Sequence, residues 1–468
     1  MEQVSFQGRI VFLGFGAIAS GILQLVLNHF VKPDIAIVTR DRRPNPLVDK
    51  NNIPVHIDSL NKENYPTILA KYLRAGDFLV NLSVDVSSAE IMSWCRDHGV
   101  LYLDTSIEAW GDLYTDISLT PSQRSNYALR ETILAKKKLW AGSKNTPTAI
   151  SAHGANPGLV SHFVKKALLD IARDTGFETT PPTNKAGWAR LAHDVGIKVI
   201  HVAERDTQRP TNQKDRFEFV NTWSIDGFYA EAVQPTELGW GSHEKFFPKD
   251  GHRHHFGCGA AIYLDQPGVM TRVRSWTPED GPYHGFIIPH IESIAIADFL
   301  STEVNGKLYR PTTHYAYHPC DAAVLSLHEM AGDNFRLQPK KRVIIDEVID
   351  GMDELGVLLM GHKKNAYWYG SRLTIAQVRQ VALNNNATTL QVTASAMAAM
   401  VWAVKNPLAG LCEPDDLPFD QILSTCLPYL GDMVGRYTDW NPLYERNSLF
   451  PEDLDPLDPW QFKNFRVS

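Results

Sequence analysis

Between Phe217 and Glu244 the chain has no lysine or arginine, although Glu218, Asp226, Glu231, Glu237 and Glu244 all fall there. Phe217, Phe219, Trp223, Phe228, Tyr229 and Trp240 are interleaved with them. Carboxylates without local basic partners must draw a cation from elsewhere in the fold or from a ligand. Other absences narrow the class of protein. No Lys/Arg-rich block is long enough to track a phosphate backbone and the net charge is -7, which argues against a nucleic-acid partner and mildly steers cations inward. The cysteines, Cys95, Cys258, Cys320, Cys412 and Cys426, are odd in number, scattered and without CxxC spacing, as in a reducing, cytoplasmic compartment. No GxSxG elbow occurs, so covalent acyl chemistry has no support. The opening "RIVFLGFGAIASGILQLVLNHF" imitates a signal peptide, with Arg9 and Ala17-Ile18-Ala19 in suggestive places. Glycines interrupt the apolar run and it ends in Asn28-His29, too soon to span a bilayer, so no membrane partner is expected.

With 468 residues the chain exceeds one ordinary core, and two large units with smaller additions are expected. Short apolar runs at 9–13, 34–38, 53–57, 78–82, 100–104 and 148–152 alternate with helical patterns, the signature of a parallel sheet covered on both faces. From about 200 to 345 the texture changes to aromatic-rich strand segments, including "YHGFIIPHIESIAIADFL". The expected fold is therefore α/β, a Rossmann-type parallel-sheet domain over 1–153 followed by a mixed α+β substrate and dimerisation domain over 154–385. An apolar helical stretch over 386–430 returns to the first domain, and the acidic, Pro-rich 431–468 reads as an arm lying on the surface or on a neighbouring subunit.

Gly14, Phe15, Gly16, Ala17, Ile18 and Ala19 match G-x-G-x-x-G/A directly after the first strand. The first glycine permits the turn, the second lets a pyrophosphate approach, and the helix N-terminus faces the diphosphate. The expected cofactor set is completed by Thr39 at the end of the second strand and by Leu82, Ser83, Asp104, Thr105, Asn156 and Pro157 at later strand ends. NAD is the expected dinucleotide. The second strand ends in Thr39-Arg40-Asp41 without the usual ribose-binding acid, so NADP stays open as an alternative. Asp85, Glu108 and Asn156 also follow strands, where an ordinary cap or turn role competes with a place in the site.

In "HVAERDTQ" strand alternation puts Ala203 and Arg205 on one face and Glu204 on the other, making Glu204 the inward acid. Trp223 with Asp226, Glu231 and Glu237 offers aromatic and anionic groups suited to an ammonium. His290 and Glu292 lie two apart, on one face if the segment is extended, and suit proton transfer at an amine or imine nitrogen. His252, His254, His255 and Cys258 fit no closed zinc spacing, and no metal is expected.

Together the segments "GFGAIASG", "VNLSVDVSS", "LYLDTSIEAW", "GANPGLVSHFVKKAL", "HVAERDTQR", "VNTWSIDGF", "ELGWG", "HIESIAIADFL", "HYAYHPC" and "NAYWYGS" resemble those of bacterial homospermidine synthases, relatives of the saccharopine dehydrogenases. The resemblance covers essentially the whole chain. It implies NAD held as a prosthetic group in a redox-neutral reaction that joins two putrescine molecules, or related diamines, with loss of ammonia, by a homodimer. It also implies that Trp223 binds an ammonium, that Glu204 and Glu231 face the substrate, and that Asp85, Glu108, Asn156, His290 and Glu292 complete the site. An NAD(P)-dependent amine or amino-acid dehydrogenase of the saccharopine type is the competing reading. It would need a cation aimed at a substrate carboxylate, and Arg205 is the nearby candidate.

Overall fold

The computed structural model describes residues 3–111, 113–177, 180–446 and 451–467. The first apolar runs become strands because each is buried along nearly its whole length, as a strand covered on both faces must be. These are β1 (Arg9–Leu13), β2 (Asp34–Thr39), β3 (Val55–Ile57), β4 (Phe78–Asn81), β5 (Leu101–Asp104) and β6 (Ala149–Ile150). Helix α1 (Ala17–His29) follows β1 through the glycine turn. All neighbours pair in parallel in the order β6-β5-β4-β1-β2-β3, so chain direction across the sheet reverses between β4 and β1. Ligands bind such sheets at that switch point, beyond the carboxyl ends of the strands.

A seventh strand, Leu411–Cys412, pairs in parallel outside β6 and arrives from far along the chain. It is delivered by the helix Ala387–Lys405, which starts on a capping box between Asn386 and Thr389 and packs along α1. This helix is long and apolar enough to cross a membrane by length and composition, and most of it is buried inside the protein. Its approach to α1 is close: a Cβ on Gly21 would lie 2.3 Å from the Asn385 side-chain oxygen.

Among the described residues the second sheet has ten strands and is mixed. At its centre β7 (Val199–Asp206) pairs in parallel with Thr312–His318 and antiparallel with Met352–His362. Two expectations from sequence are corrected here. The segment Ile291–Phe299 is a helix, with His290 at its N-cap and Glu292 in its first turn, because its apolar residues bury all round the helix. The C-terminal arm is a packed part of the fold: Asp432–Thr438 extends the second sheet, and Trp440, Trp460, Phe462 and Phe465 are buried in the core on that sheet's face. Large apolar side chains removed from water outweigh the Pro-rich, acidic character of the surrounding tail.

Candidate active site

The glycine turn adopts the backbone its sequence requires. Gly14 has φ 85°, where a side chain is strained, and a Cβ there would lie 2.9 Å from the Leu82 carbonyl oxygen. A Cβ on Gly16 would meet nothing within 4 Å, so open space lies in front of the second glycine. No side chain caps α1 at Gly16, which leaves its first N–H groups facing that space. The result is a cleft of about 470 Å³ lined by Gly14 to Ala19, Thr39 to Asp41, Arg43 and Leu82 to Val84 on one wall. Ser224, Ile225, Asp226, Lys341 and Val343 form the opposite wall. The cleft fits a dinucleotide.

A smaller pocket of about 130 Å³ continues inward, sharing Ile18, Leu82, Ser83, Val84 and Ser224 with the cleft. Thr105, Glu108, Asn156, Pro157, Glu204, Trp223, Glu231 and His290 line it, so one cavity collects the expected residues from strand ends of both sheets and from the helix Ile225–Val233. That helix starts on Ser224, whose hydroxyl accepts from the Gly227 N–H. Gly227 and Glu231 both line the pocket, one turn apart, and the missing side chain at Gly227 leaves the volume between Trp223 and Glu231 open.

Glu204 points inward from β7 as alternation requires. It accepts a short bond from the Tyr315 hydroxyl and one of 3.2 Å from the Asn156 amide. Burial raises its pKa, opposed by the Tyr315 bond and reinforced by the nearby Asp206 charge. Glu108 is pushed up to about 8 by burial and by the Glu231 charge. Across the pocket, His290 Nε2 stands 2.9 Å from Glu231 and Nδ1 3.2 Å from Glu292. Burial alone would lower His290, but the Glu231 and Glu292 carboxylates outweigh it and hold the imidazole well above its ordinary value. Glu292 is behind His290, and its second oxygen has no hydrogen-bond partner.

The span without basic residues is now resolved acid by acid. Glu218 is held by Arg342 at 2.9 Å and Asp226 by Lys341 at 2.5 Å. Glu237 is fully buried and accepts from the backbone N–H groups of Asn126 (2.7 Å) and Tyr127 (3.1 Å), at the start of the helix Asn126–Trp140. Glu244 accepts from the Thr312 hydroxyl and the Phe462 N–H, tying down the C-terminal arm. Glu231 faces the pocket with His290 as its partner.

Asp104 departs from the expected cofactor set. It is buried inside the first sheet, accepting from the Ala152 N–H at 2.5 Å and the Tyr102 hydroxyl at 2.7 Å, and burial pushes it up to about 6. Asp85 lines an outer recess of about 70 Å³ with Thr39 and Asp58, apart from the inner pocket, although its charge raises Glu108. Tyr315, Thr388 and Lys341 line the site and were missed. The alternation in "HYAYHP" puts Tyr315 and Tyr317 on one face, where their rings stack at 5.0 Å, and was the available signal.

Family models match the chain as a saccharopine dehydrogenase NADP binding domain over 10–150 and a saccharopine dehydrogenase C-terminal domain over 154–439. A homospermidine synthase of Blastochloris viridis is 50% identical over 98% of this chain and 97% of its own length. One of Mesorhizobium japonicum is 47% identical over 98% and 96%. The crystal structure of the Legionella pneumophila homospermidine synthase in complex with NAD matches with TM-score 0.93 and 42% identity, over 100% of this chain and 99% of that one.

The chain belongs to the homospermidine synthase family.

Saccharopine dehydrogenase of Saccharomyces cerevisiae shares the fold at TM-score 0.52 and 11% identity, over 92% of this chain and 100% of that one. In this homospermidine synthase family member Arg205 leaves the opposite face of β7, donates to Asp280 at 2.6 Å, and is absent from the pocket lining. No lysine or arginine lines the inner pocket among the described residues. The His-rich loop makes separate contacts, His252 with Asp265 at 2.7 Å and His254 stacked on Tyr127, and no cluster able to hold a metal is found among the described residues.

Proposed function

We propose that this chain catalyses redox-neutral transfer of a 4-aminobutyl group between two putrescine molecules, giving homospermidine and ammonia, with NAD in the cleft. The observation that carries this is an inner pocket bearing Glu108, Glu204 and Glu231 with no lysine or arginine among the described residues, opening directly onto the dinucleotide cleft. A dicationic chain suits such walls, whereas an amino-acid carboxylate does not. Bound NAD supplies a hydride acceptor at the amine-bearing carbon and later the donor that returns the same hydride.

Hydride loss requires a neutral amine at the reacting end. Glu204, with its pKa raised, accepts the ammonium proton there, while Asn156 and Tyr315 fix its orientation. The far ammonium rests on the Trp223 face, whose indole is held by its Nε1–H bond of 3.3 Å to the Tyr317 hydroxyl. Glu231 and Glu108 bind the incoming second amine. It adds to the imine carbon, the C–N bond to the first nitrogen breaks, and that nitrogen leaves as ammonia carrying a proton. His290, protonated between Glu231 and Glu292, is the donor for this step. Enclosure of the pocket limits hydrolysis of the new imine before bound NAD would return the hydride to it.

The dinucleotide is assigned to the domain over 1–153 and the diamine to that over 154–385, with 386–430 returning to the first sheet and 431–468 extending the second. We place the protein in the cytoplasm as a homodimer without membrane or nucleic-acid partners. The test is incubation of purified protein with putrescine. Homospermidine and ammonia should appear in equal amounts without net NADH, and stoichiometric NADH with no polyamine would overturn the reading.

A further inference from the structure

A dinucleotide in the cleft brings two negative charges to its diphosphate, and the glycine turn answers them only with backbone N–H groups. The opposite wall contains a cation. Lys341 lies on the strand Lys340–Val343, which pairs in parallel with Glu218–Asn221. Strand alternation puts Lys341 and Val343 on one face and Lys340 and Arg342 on the other. Both residues of the first face line the cleft opposite Gly14 to Ala19. The other face is anchored, because Arg342 donates to Glu218 at 2.9 Å and to Glu347 at 2.6 Å. The strand is thus pinned from behind while it presents one ammonium to the cleft.

Lys341 pairs with Asp226 in the first turn of the helix Ile225–Val233, at 2.5 Å, with side chains 42% and 56% exposed. An ion pair so exposed adds little to folding. The carboxylate is the ammonium's partner in this structure, and a diphosphate at the glycine turn would compete with it for the same charge. Arg40 and Arg43, the other cations lining the cleft, follow Thr39 at the end of β2. That is the adenosine end of the cleft in this type of sheet.

We infer that Lys341 is a ligand of the cofactor's diphosphate, a clamp from the second domain that retains the dinucleotide between hydride removal and hydride return. The inference rests on the NAD dependence proposed above. It also links retention to the substrate, since the helix that places Asp226 beside Lys341 carries Glu231 into the amine pocket on its last turn.

The experiment measures binding of ADP and of adenosine to the full-length, NAD-stripped protein at low and moderate salt, with wild type, Lys341→Met, Lys341→Arg and Asp226→Asn. A charge-assisted hydrogen bond to the diphosphate predicts about tenfold or greater weakening of ADP in Lys341→Met. Adenosine binding should be unchanged, and the ADP salt dependence shallower. Lys341→Arg should recover most of the loss, and Asp226→Asn, which removes the competing carboxylate, should bind ADP more tightly. Loss of bound NAD during gel filtration should follow the same order. Unaltered ADP affinity in Lys341→Met, or equal weakening of ADP and adenosine, would overturn the clamp. Both ligands are read without turnover, so a protein that clamps ADP yet makes no homospermidine would sink the proposed reaction and leave the clamp standing.

Discussion

At the scale of single residues, the site depends on which part of each side chain its protein partners leave facing the pocket. Trp223 packs against Phe228 at 5.1 Å and donates to Tyr317, so its indole is fixed and one face is left for the pocket. An aromatic face attracts a desolvated ammonium by about 2 kcal/mol, with tryptophan the strongest of the rings. Trp223→Phe keeps a weaker face and should lower kcat/KM for putrescine by about threefold to tenfold. Trp223→Ala removes the face and loosens the near-attack geometry, and should lower it by about a hundredfold or more. Steady-state assays of both variants, with NAD content measured in parallel, check this. Equal and negligible effects would reduce Trp223 to a packing residue.

At the scale of elements, acids from one short span serve different purposes according to the element that receives them. Glu237 answers the buried start of the helix Asn126–Trp140 by accepting from two of its backbone N–H groups. Glu237→Ala orphans both and should cost about 2–4 kcal/mol of stability in denaturant unfolding. Glu231→Gln should leave stability close to wild type and abolish most diamine turnover. The first sheet was legible in the sequence because each of its strands is a continuous apolar run bounded by turn residues, and Glu204 was legible because alternation alone separates it from Arg205. The strand Leu411–Cys412 was not, since two residues carry no period and their partner β6 lies far back along the chain. His290 and Glu292 were assigned to one strand face from their spacing, but the helix start brings them together instead, with both nitrogens of one imidazole engaged. Glu237, like Glu244, was one of several acids in that span without a basic neighbour and had no place at the chemistry by spacing, and its real role stayed hidden because a sequence shows missing lysines and does not show distant N–H donors.

At the scale of the whole molecule, lysine and arginine side chains stop at the cleft, where Arg40, Arg43 and Lys341 lie beside Asp41 and Asp226, and the pocket beyond it carries Glu108, Glu204 and Glu231 with His290. That ordering suits an anionic cofactor entering over a cationic substrate. Between the layers the fold also buries neutral histidines without carboxylates beside them. His153 and His162 stand 3.0 Å apart, and His201 and His314 are partners across the parallel pair that the C-terminal Phe462 and Phe465 cover. His201 bonds to the Ser275 hydroxyl and His314 donates to the Tyr315 carbonyl, and burial outweighs the preference that this carbonyl gives the charged form of His314. Burial lowers His314 to about 4, against about 6.5 in an unfolded chain. A group depressed in this way binds its proton first in the unfolded state. Its contribution is complete above about pH 6.5 and is lost as pH falls toward 4. The buried carboxyls titrate in the same range with the opposite sign, as with Glu237 raised to about 7 by burial, so the wild-type profile alone does not isolate the histidine. The difference between wild type and His314→Gln does, because glutamine is neutral throughout. Relative to that variant, wild type should lose up to about 3 kcal/mol between pH 6.5 and 4, and nothing between pH 7 and 8. Denaturant unfolding of both proteins across that range reads the difference directly, and a constant gap would mean that His314 takes up its proton in the folded protein at the same pH as in the unfolded chain.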